Sequence, residues 1–263
     1  MDAARQMVAP GTLLPEMLAA VRRHTGLDFG PYLRAMVERR VWNRMLRAGS
    51  RDPAEYLARL RADPAECEQL ASTITLKVSR FFRNARAFEA LRAALGDGRG
   101  ANAWSAGCAR GEEAYGIALL APGITVLGTD VDPQAVGDAE RACYATASLA
   151  ELPEDVRASG FVASGDPRRP HRLADAVRAR VSFGLHDLLA REPPPGTFSL
   201  VACRNVLIYL DRVAQRSIEA VLLGALEPRG LLWLGEAEWP SPGTAARLEV
   251  VNAPARLFRL RDW

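Results

Sequence analysis

Apolar residues recur every three to four positions from Leu13 to about Arg92, and from Asn102 onward they gather into short runs separated by helical stretches. The first regime predicts helices at Leu13–His24, Pro31–Arg47, Pro53–Arg61, Ala65–Ser72 and Ala85–Ala94, punctuated by Gly26, Gly30 and Gly49. The second predicts strands at 102–106, 124–129, 181–185, 199–204 and 230–236, with helices near 112–120, 133–142 and 211–226. Such alternation argues for an α/β fold, a doubly wound parallel sheet, preceded by a small helical domain and linker over residues 1–95.

Two stretches break the alternation. Between Cys143 and Arg180 the chain is polar and carries Pro153, Gly160, Gly165, Pro167 and Pro170, too long for a simple connection and therefore read as a folded insertion at about 144–180. The segment Leu248 to Leu260 reads as a hairpin returning to the sheet.

The chemistry gathers at strand ends. The run Trp104-Ser105-Ala106-Gly107-Cys108-Ala109-Arg110-Gly111-Glu112-Glu113 closes a strand with small residues and opens the next helix with two carboxylates. Two glycines let the backbone approach a ligand closely, although any tight strand-to-helix turn has the same need. About twenty residues on, Ile124 to Gly128 ends in Thr129-Asp130, where nucleotide-binding sheets hold a ribose. Capping of the next helix is the plainer use for Asp130, but Asp132-Pro133 already supplies a cap and a first-turn proline. The dinucleotide fingerprint is absent, and Glu112 and Glu113 would repel a pyrophosphate at that helix N-terminus. A cationic, hydroxyl-rich ligand suits them, and S-adenosylmethionine has a sulfonium, an ammonium and a ribose diol without phosphate. An antiparallel last hairpin on a parallel sheet is also the usual layout of methyltransferases that use it.

Composition narrows the setting. The chain has 263 residues, 49% hydrophobic and 25% charged, the balance of a globular protein. No window approaches the roughly 18 apolar residues of a membrane span, and the first residues lack a basic-then-apolar leader, so a cytoplasmic location without membrane insertion is expected. Cys67, Cys108, Cys143 and Cys203 show no paired spacing, and His24, His171 and His186 are scattered, so no metal is expected. The net charge of +3 hides an asymmetry: residues 1–100 carry +6 and the remainder −3. A basic front end suits an anionic partner, or simply a solvated helical face. Arg40, Arg44 and Arg47 recur along one predicted helix beside Val37, Val41 and Met45.

Four stretches resemble the chemotaxis receptor glutamate methyltransferases, the CheR family, in that family's order: Ser79-Arg80-Phe81-Phe82-Arg83, Trp104 to Glu113, Gly128-Thr129-Asp130-Val131-Asp132, and Cys203-Arg204-Asn205-Val206-Leu207-Ile208-Tyr209. Tyr32 to Arg40 is similar to the family's basic N-terminal helix, and Leu226 to Leu232 to its closing L-x-P-x-G-x-L turn. The resemblance implies a Rossmann-like methyltransferase domain over 96–263 and an inserted antiparallel β-subdomain at about 144–180. It implies S-adenosylmethionine as cofactor, methyl transfer to receptor glutamates, and a pocket of Ser79, Arg83, Glu112, Asp130, Asp187, Leu188, Arg204 and Asn205, with Gly107 in its loop. Spacing alone favours packing of Tyr209 on the following helix, whereas the resemblance matches it to a tyrosine beside the transferred methyl. Lys77, the only lysine, stands where the family commonly has Asn, at the expected pocket mouth, Arg110 replaces a small hydroxyl residue, and Asp187 replaces Asn.

In this reading Arg40, Arg44 and Arg47 dock the receptor's carboxylate-bearing cytoplasmic helices. The alternatives are a CheR-like cofactor- or receptor-binding module without methyl transfer, and a nucleic-acid methyltransferase. The last is disfavoured because the chain lacks a [D/N/S]-P-P-[Y/F/W] motif and an aromatic-interleaved basic groove.

Overall fold

A computed structural model describes residues 12–75 and 79–262, so Lys77 lies outside the described residues. The chain forms two compact units. One takes the described residues up to 75 together with Tyr209–Asp211, and the other takes the rest.

The helical unit comprises α1 (Leu14–Thr25), α2 (Arg34–Arg47), α3 (Pro53–Ala62) and α4 (Pro64–Ile74). Asp52 and Asp63 start α3 and α4 by accepting the N–H groups of Ala54 at 2.9 Å and Ala65 at 3.0 Å, and each is followed by a proline. Proline fits the first helical position because its missing N–H would have no partner there. Met17, Val21, Met45, Tyr56, Leu60, Leu70 and Ile74 fill one core. Helix α2 starts three residues later than the pattern predicts. Residues before it pair with the excursion Tyr209–Asp211: Leu33 N–H donates to the Tyr209 carbonyl at 2.9 Å, Tyr32 bridges Leu210, and Asp211 N–H donates to Pro31.

The arginines of α2 do not form one exposed stripe. Arg40 is buried, donates to the carbonyl of Ile74 at 2.5 Å and lies over the Tyr209 ring at 5.5 Å. Arg44 makes two bonds, 2.8 and 2.6 Å, to buried Glu66, which also accepts the Tyr56 hydroxyl at 2.8 Å and meets Arg59 at 3.3 Å. Burial favours the neutral Glu66 carboxyl, but the bonds from Arg44 and Tyr56 outweigh it and hold the group below its ordinary value. Of the three, only Arg47 is exposed. Helical spacing identifies a stripe but not which stripe the neighbouring helix α4 covers.

The second unit is built on a seven-stranded sheet in the order β6-β2-β1-β7-β8-β10-β9, with β1 Asn102–Ala106, β2 Thr125–Asp130, β6 Val181–Leu185, β7 Phe198–Cys203, β8 Leu226–Leu234, β9 Leu248–Asn252 and β10 Leu257–Leu260. The first five of these are mutually parallel, and β10 runs antiparallel between β8 and β9, as the hairpin pattern predicted. Helices α5 (Ala85–Leu95), α6 (Glu112–Leu120), α7 (Pro133–Arg141) and α10 (Arg212–Gly224) supply the longer connections, with α8 (Glu154–Gly160), α9 (Asp175–Arg178) and α11 (Pro242–Ala245) as short turns. The insertion forms a three-stranded antiparallel sheet, β3-β5-β4, from Cys143–Tyr144, His171–Leu173 and Phe161–Ala163.

Two further boundaries differ from the sequence reading by several residues or in the unit they join. Helix α5 falls in the stretch read as helical domain and linker, 1–95, and its Phe88 and Leu91 lie in the sheet core, where Phe88 meets Trp233 edge-on at 4.9 Å. An amphipathic pattern reveals an apolar face but not the core that receives it. Strand β8 begins at Leu226 rather than 230, because Glu227 to Gly230 bulge within the strand: Phe198 pairs with Leu226 and Leu200 with Leu231.

Removing the Glu66 carboxylate leaves Arg44 and the Tyr56 hydroxyl without their shared partner. Glu66→Ala should therefore cost the helical unit about 3 kcal/mol in urea unfolding. A loss below about 1 kcal/mol would show that the cluster contributes little.

Candidate active site

The site forms at the carboxyl ends of β1, β2, β6, β7 and β8, the edge of such sheets where ligands bind. Its first part is the turn from β1 into α6. Gly107 and Cys108 N–H groups donate to the Thr129 carbonyl at 2.8 and 2.9 Å, and Ala109 N–H donates to Asp130 Oδ2 at 2.9 Å. Asp130 Oδ1 accepts the Asp132 N–H at 3.0 Å, while Asp132 itself caps α7 through Gln134 at 2.8 Å. The end of β2 thus fixes the path of the glycine turn, with the Asp130 carboxylate at its centre. Gly107 has φ +76°, and a Cβ there would stand 2.6 Å from Val206 Cγ2, so both conformation and space require glycine.

Helix α6 begins at Glu112, whose carboxylate is buried. Its Oε2 has no hydrogen-bond partner among the described residues. Burial pushes this carboxyl up to about 7, against the opposing effects of its own backbone N–H, the Arg110 charge and the Ser79 hydroxyl. Ser79 and Glu112, far apart in sequence, are therefore neighbours. Arg110 pairs with Asp138 at 3.4 Å, and the Arg110 carbonyl accepts the Tyr144 hydroxyl at 2.7 Å.

The opposite wall is made by the turn after β7. Arg204 is buried and stacks over Trp233 at 4.1 Å. It donates to the Arg83 carbonyl at 2.8 Å and faces Glu113 at 3.6 Å. Burial favours the neutral forms of both Arg204 and Glu113, and their opposite charges offset part of that cost. Glu113 accepts the Ser105 hydroxyl at 2.8 Å and neutralises Arg204. Arg83, Asn84, Arg204, Asn205 and Glu236 line an open cavity of about 300 Å³, and the Arg83 side chain is exposed.

Glu238 had no signal in the sequence. It is buried, and its two oxygens accept four backbone N–H groups: Asn205 at 2.9 Å, Gly235 at 2.6 Å, Leu207 at 2.8 Å and Ile208 at 3.3 Å. After β6, Asp187 accepts the Leu189 N–H at 2.9 Å, and Leu188 is buried beside it. His186 N–H donates to the Asp130 carbonyl, which brings this turn to the same sheet edge.

Ser79, Arg83, Gly107, Glu112, Asp130, Asp187, Leu188, Arg204 and Asn205 thus all belong to the sheet unit. Tyr209 belongs to the helical unit, with Arg40 against its ring. Cys108 and Cys203 are buried with thiols held well above their ordinary values by burial, so they act as small core residues.

A doubly wound sheet with an antiparallel strand next to its edge, a glycine turn, and carboxylates at the ends of β2 and the start of α6 defines a nucleoside-cofactor methyltransferase. The chain matches the CheR methyltransferase SAM-binding domain over residues 77–256 and the CheR methyltransferase all-alpha domain over 14–75, and it belongs to that family. A chemotaxis protein methyltransferase of Listeria monocytogenes is 30% identical over 230 residues, covering 83% of this chain and 86% of the relative. One from Klebsiella aerogenes is 32% identical, covering 83% and 80%. A probable biofilm formation methyltransferase WspC of Pseudomonas putida is 32% identical over 83% of this chain and 54% of its own length. The N-methyltransferase NodS of Bradyrhizobium japonicum, solved with S-adenosylhomocysteine, aligns with 70% of this chain and 89% of its own at 19% identity and a TM-score of 0.44.

The cofactor is S-adenosylmethionine, and the residues present fit it. An unpartnered buried carboxylate oxygen at Glu112 is a ready acceptor for an ammonium. Among the described residues no helix is long and apolar enough to cross a membrane.

Proposed function

We propose that this chain methylates glutamate side chains in the cytoplasmic helices of methyl-accepting chemotaxis receptors, giving glutamyl methyl esters during sensory adaptation. The observation that carries the reading is Glu112: a buried carboxylate oxygen without a partner, in a chain of the CheR family whose relatives include chemotaxis protein methyltransferases. Bound S-adenosylmethionine supplies an electrophilic methyl on a sulfonium.

The chain's own residues place the two reactants. Asp130 accepts the ribose hydroxyls from the position that Ala109 and Asp132 fix. Glu112 accepts the ligand's ammonium, and the exposed Arg83 guanidinium takes its carboxylate. Ser79, Gly107, Asp187, Leu188, Arg204 and Asn205 complete the walls, with Arg204 acting chiefly by holding the Arg83 backbone. The accepting glutamate needs no general base, since an ordinary Glu with a pKa near about 4.3 is ionised at neutral pH. Its carboxylate oxygen forms the new bond to the methyl carbon as the bond to sulfur breaks. Receptor docking falls to the outward residues of α2, Arg39 and Arg47 with Asn43 and Leu46 between them, because Arg40 and Arg44 are engaged inside the unit.

The test is transfer of labelled methyl from S-adenosylmethionine to receptor-bearing membranes, followed by mild alkali. Release of the label as methanol is expected, because carboxyl esters hydrolyse where N-methyl groups survive. Alkali-stable label would contradict glutamate methylation, and no label despite cofactor binding would favour a binding module.

The raised Glu112 carboxyl gives a second prediction. Binding an ammonium favours the ionised form, so protons compete with the ligand. Affinity for S-adenosylhomocysteine should therefore fall from about pH 7.5 to 6, approaching tenfold per unit once Glu112 is mostly protonated below about 7. Calorimetry on Glu112→Gln should give weaker binding and a flat profile. A flat profile in the unaltered chain would remove Glu112 from the ammonium site.

A further inference from the structure

We infer that Glu238 is a positioning residue for the cofactor site, acting through the turn Arg204–Ile208 rather than by touching the ligand. This rests on the proposal that Arg204 and Asn205 form a wall of the cofactor pocket.

Two turns leave the sheet side by side, one after β7 and one after β8, and both end strands at the ligand-binding edge. A single buried carboxylate joins them. Oε2 accepts from Asn205 and Gly235, and Oε1 from Leu207 and Ile208. Only a carboxylate supplies two acceptor oxygens without a donor, and four converging N–H groups need such an acceptor. A glutamine in the same place would aim an amide N–H₂ at one pair of donors.

The fit is close on every side. Asn205 sits at φ +60°, a left-handed conformation that asparagine tolerates but that needs support from its surroundings. A Cβ on Gly235 would lie 2.5 Å from Glu238 Oε2 and 2.7 Å from the Asn205 nitrogen, so glycine is what lets the carboxylate reach the turn. Gln215 braces the far end by donating to the Leu207 carbonyl at 2.9 Å. The consequence reaches the cavity. Asn205 and Arg204 line it directly, and Arg204 in turn holds the carbonyl of Arg83. Loss of the carboxylate frees Asn205 to leave its left-handed conformation and shifts that wall.

A residue that only stabilised the fold would lower the melting temperature and leave ligand affinity unchanged once the protein was folded. Two variants separate the cases. Glu238→Gln removes the four-way acceptor, and Gly235→Ala keeps the carboxylate while wedging a methyl between it and Asn205. Calorimetry with S-adenosylhomocysteine, well below each variant's melting point, should show about tenfold weaker binding for Glu238→Gln and a several-fold loss for Gly235→Ala. Glu238→Asp, which retains both oxygens on a shorter arm, should recover part of the affinity. Amide exchange at Asn205, Leu207 and Ile208 should quicken in Glu238→Gln. If Glu238→Gln does not fold, the Gly235→Ala result decides. Unaltered affinity in a folded variant while the parent binds overturns the inference; failure of the parent to bind overturns the cofactor reading itself, and this role with it.

Discussion

The bond network at the end of β2 is the constraint on which the site depends. Thr129 offers its carbonyl to Gly107 and Cys108, and Asp130 offers its carboxylate to Ala109 and Asp132. Three consecutive N–H groups of one strand-end turn are thereby assigned to two residues of the neighbouring strand. The turn cannot move unless β2 moves, and β2 is held between β1 and β6. That arrangement sets where α6 begins, hence where Glu112 stands, and it leaves the Asp130 carboxylate at the strand end in a fixed orientation.

Carboxylates recur as the fasteners of this unit. Asp130 holds the first turn, Asp187 the turn after β6, Glu238 the turns after β7 and β8, and Glu113 neutralises the arginine stacked on Trp233. Each buried charge is satisfied by N–H donors or by a guanidinium, which is the condition for keeping it in a core. Glu112 is the exception. It supplies the only buried carboxylate oxygen without a hydrogen-bond partner among the described residues, and the burial that raises its proton affinity also strengthens its attraction for a cation. An unsatisfied anion among fastened carboxylates is what the proposed function uses to receive a positively charged group.

Much of this was legible in the chain. Alternating apolar runs gave the parallel strands, the return of Leu248 to Leu260 gave the antiparallel hairpin, and the polar stretch after Cys143 proved to be a separate small sheet. The glycine turn and Asp130 were visible because their chemistry is local: small residues, then an acid, at strand ends. What stayed hidden depends on contacts between distant positions. Glu238 meets Asn205 across 33 residues and bonds only to backbone, which has no sequence signature. The pairing of Glu113 with Arg204 and of Arg44 with Glu66 is equally non-local, and helical periodicity alone does not say that Arg40 and Arg44 lie on a covered face. The core that receives α5 is hidden for the same reason, because its apolar face suits either one.

The central claim is that backbone-held Asp130 and unsatisfied Glu112 receive the two ends of one S-adenosyl ligand. A crystal structure of the chain with S-adenosylhomocysteine tests it most directly. The account predicts the ribose hydroxyls within about 3 Å of the Asp130 carboxylate and the ligand's amino nitrogen at a similar distance from Glu112 Oε2, with the turn at Gly107 unchanged. A ligand seated elsewhere, or one whose ribose is held by another group while Glu112 stays unpartnered, would contradict it.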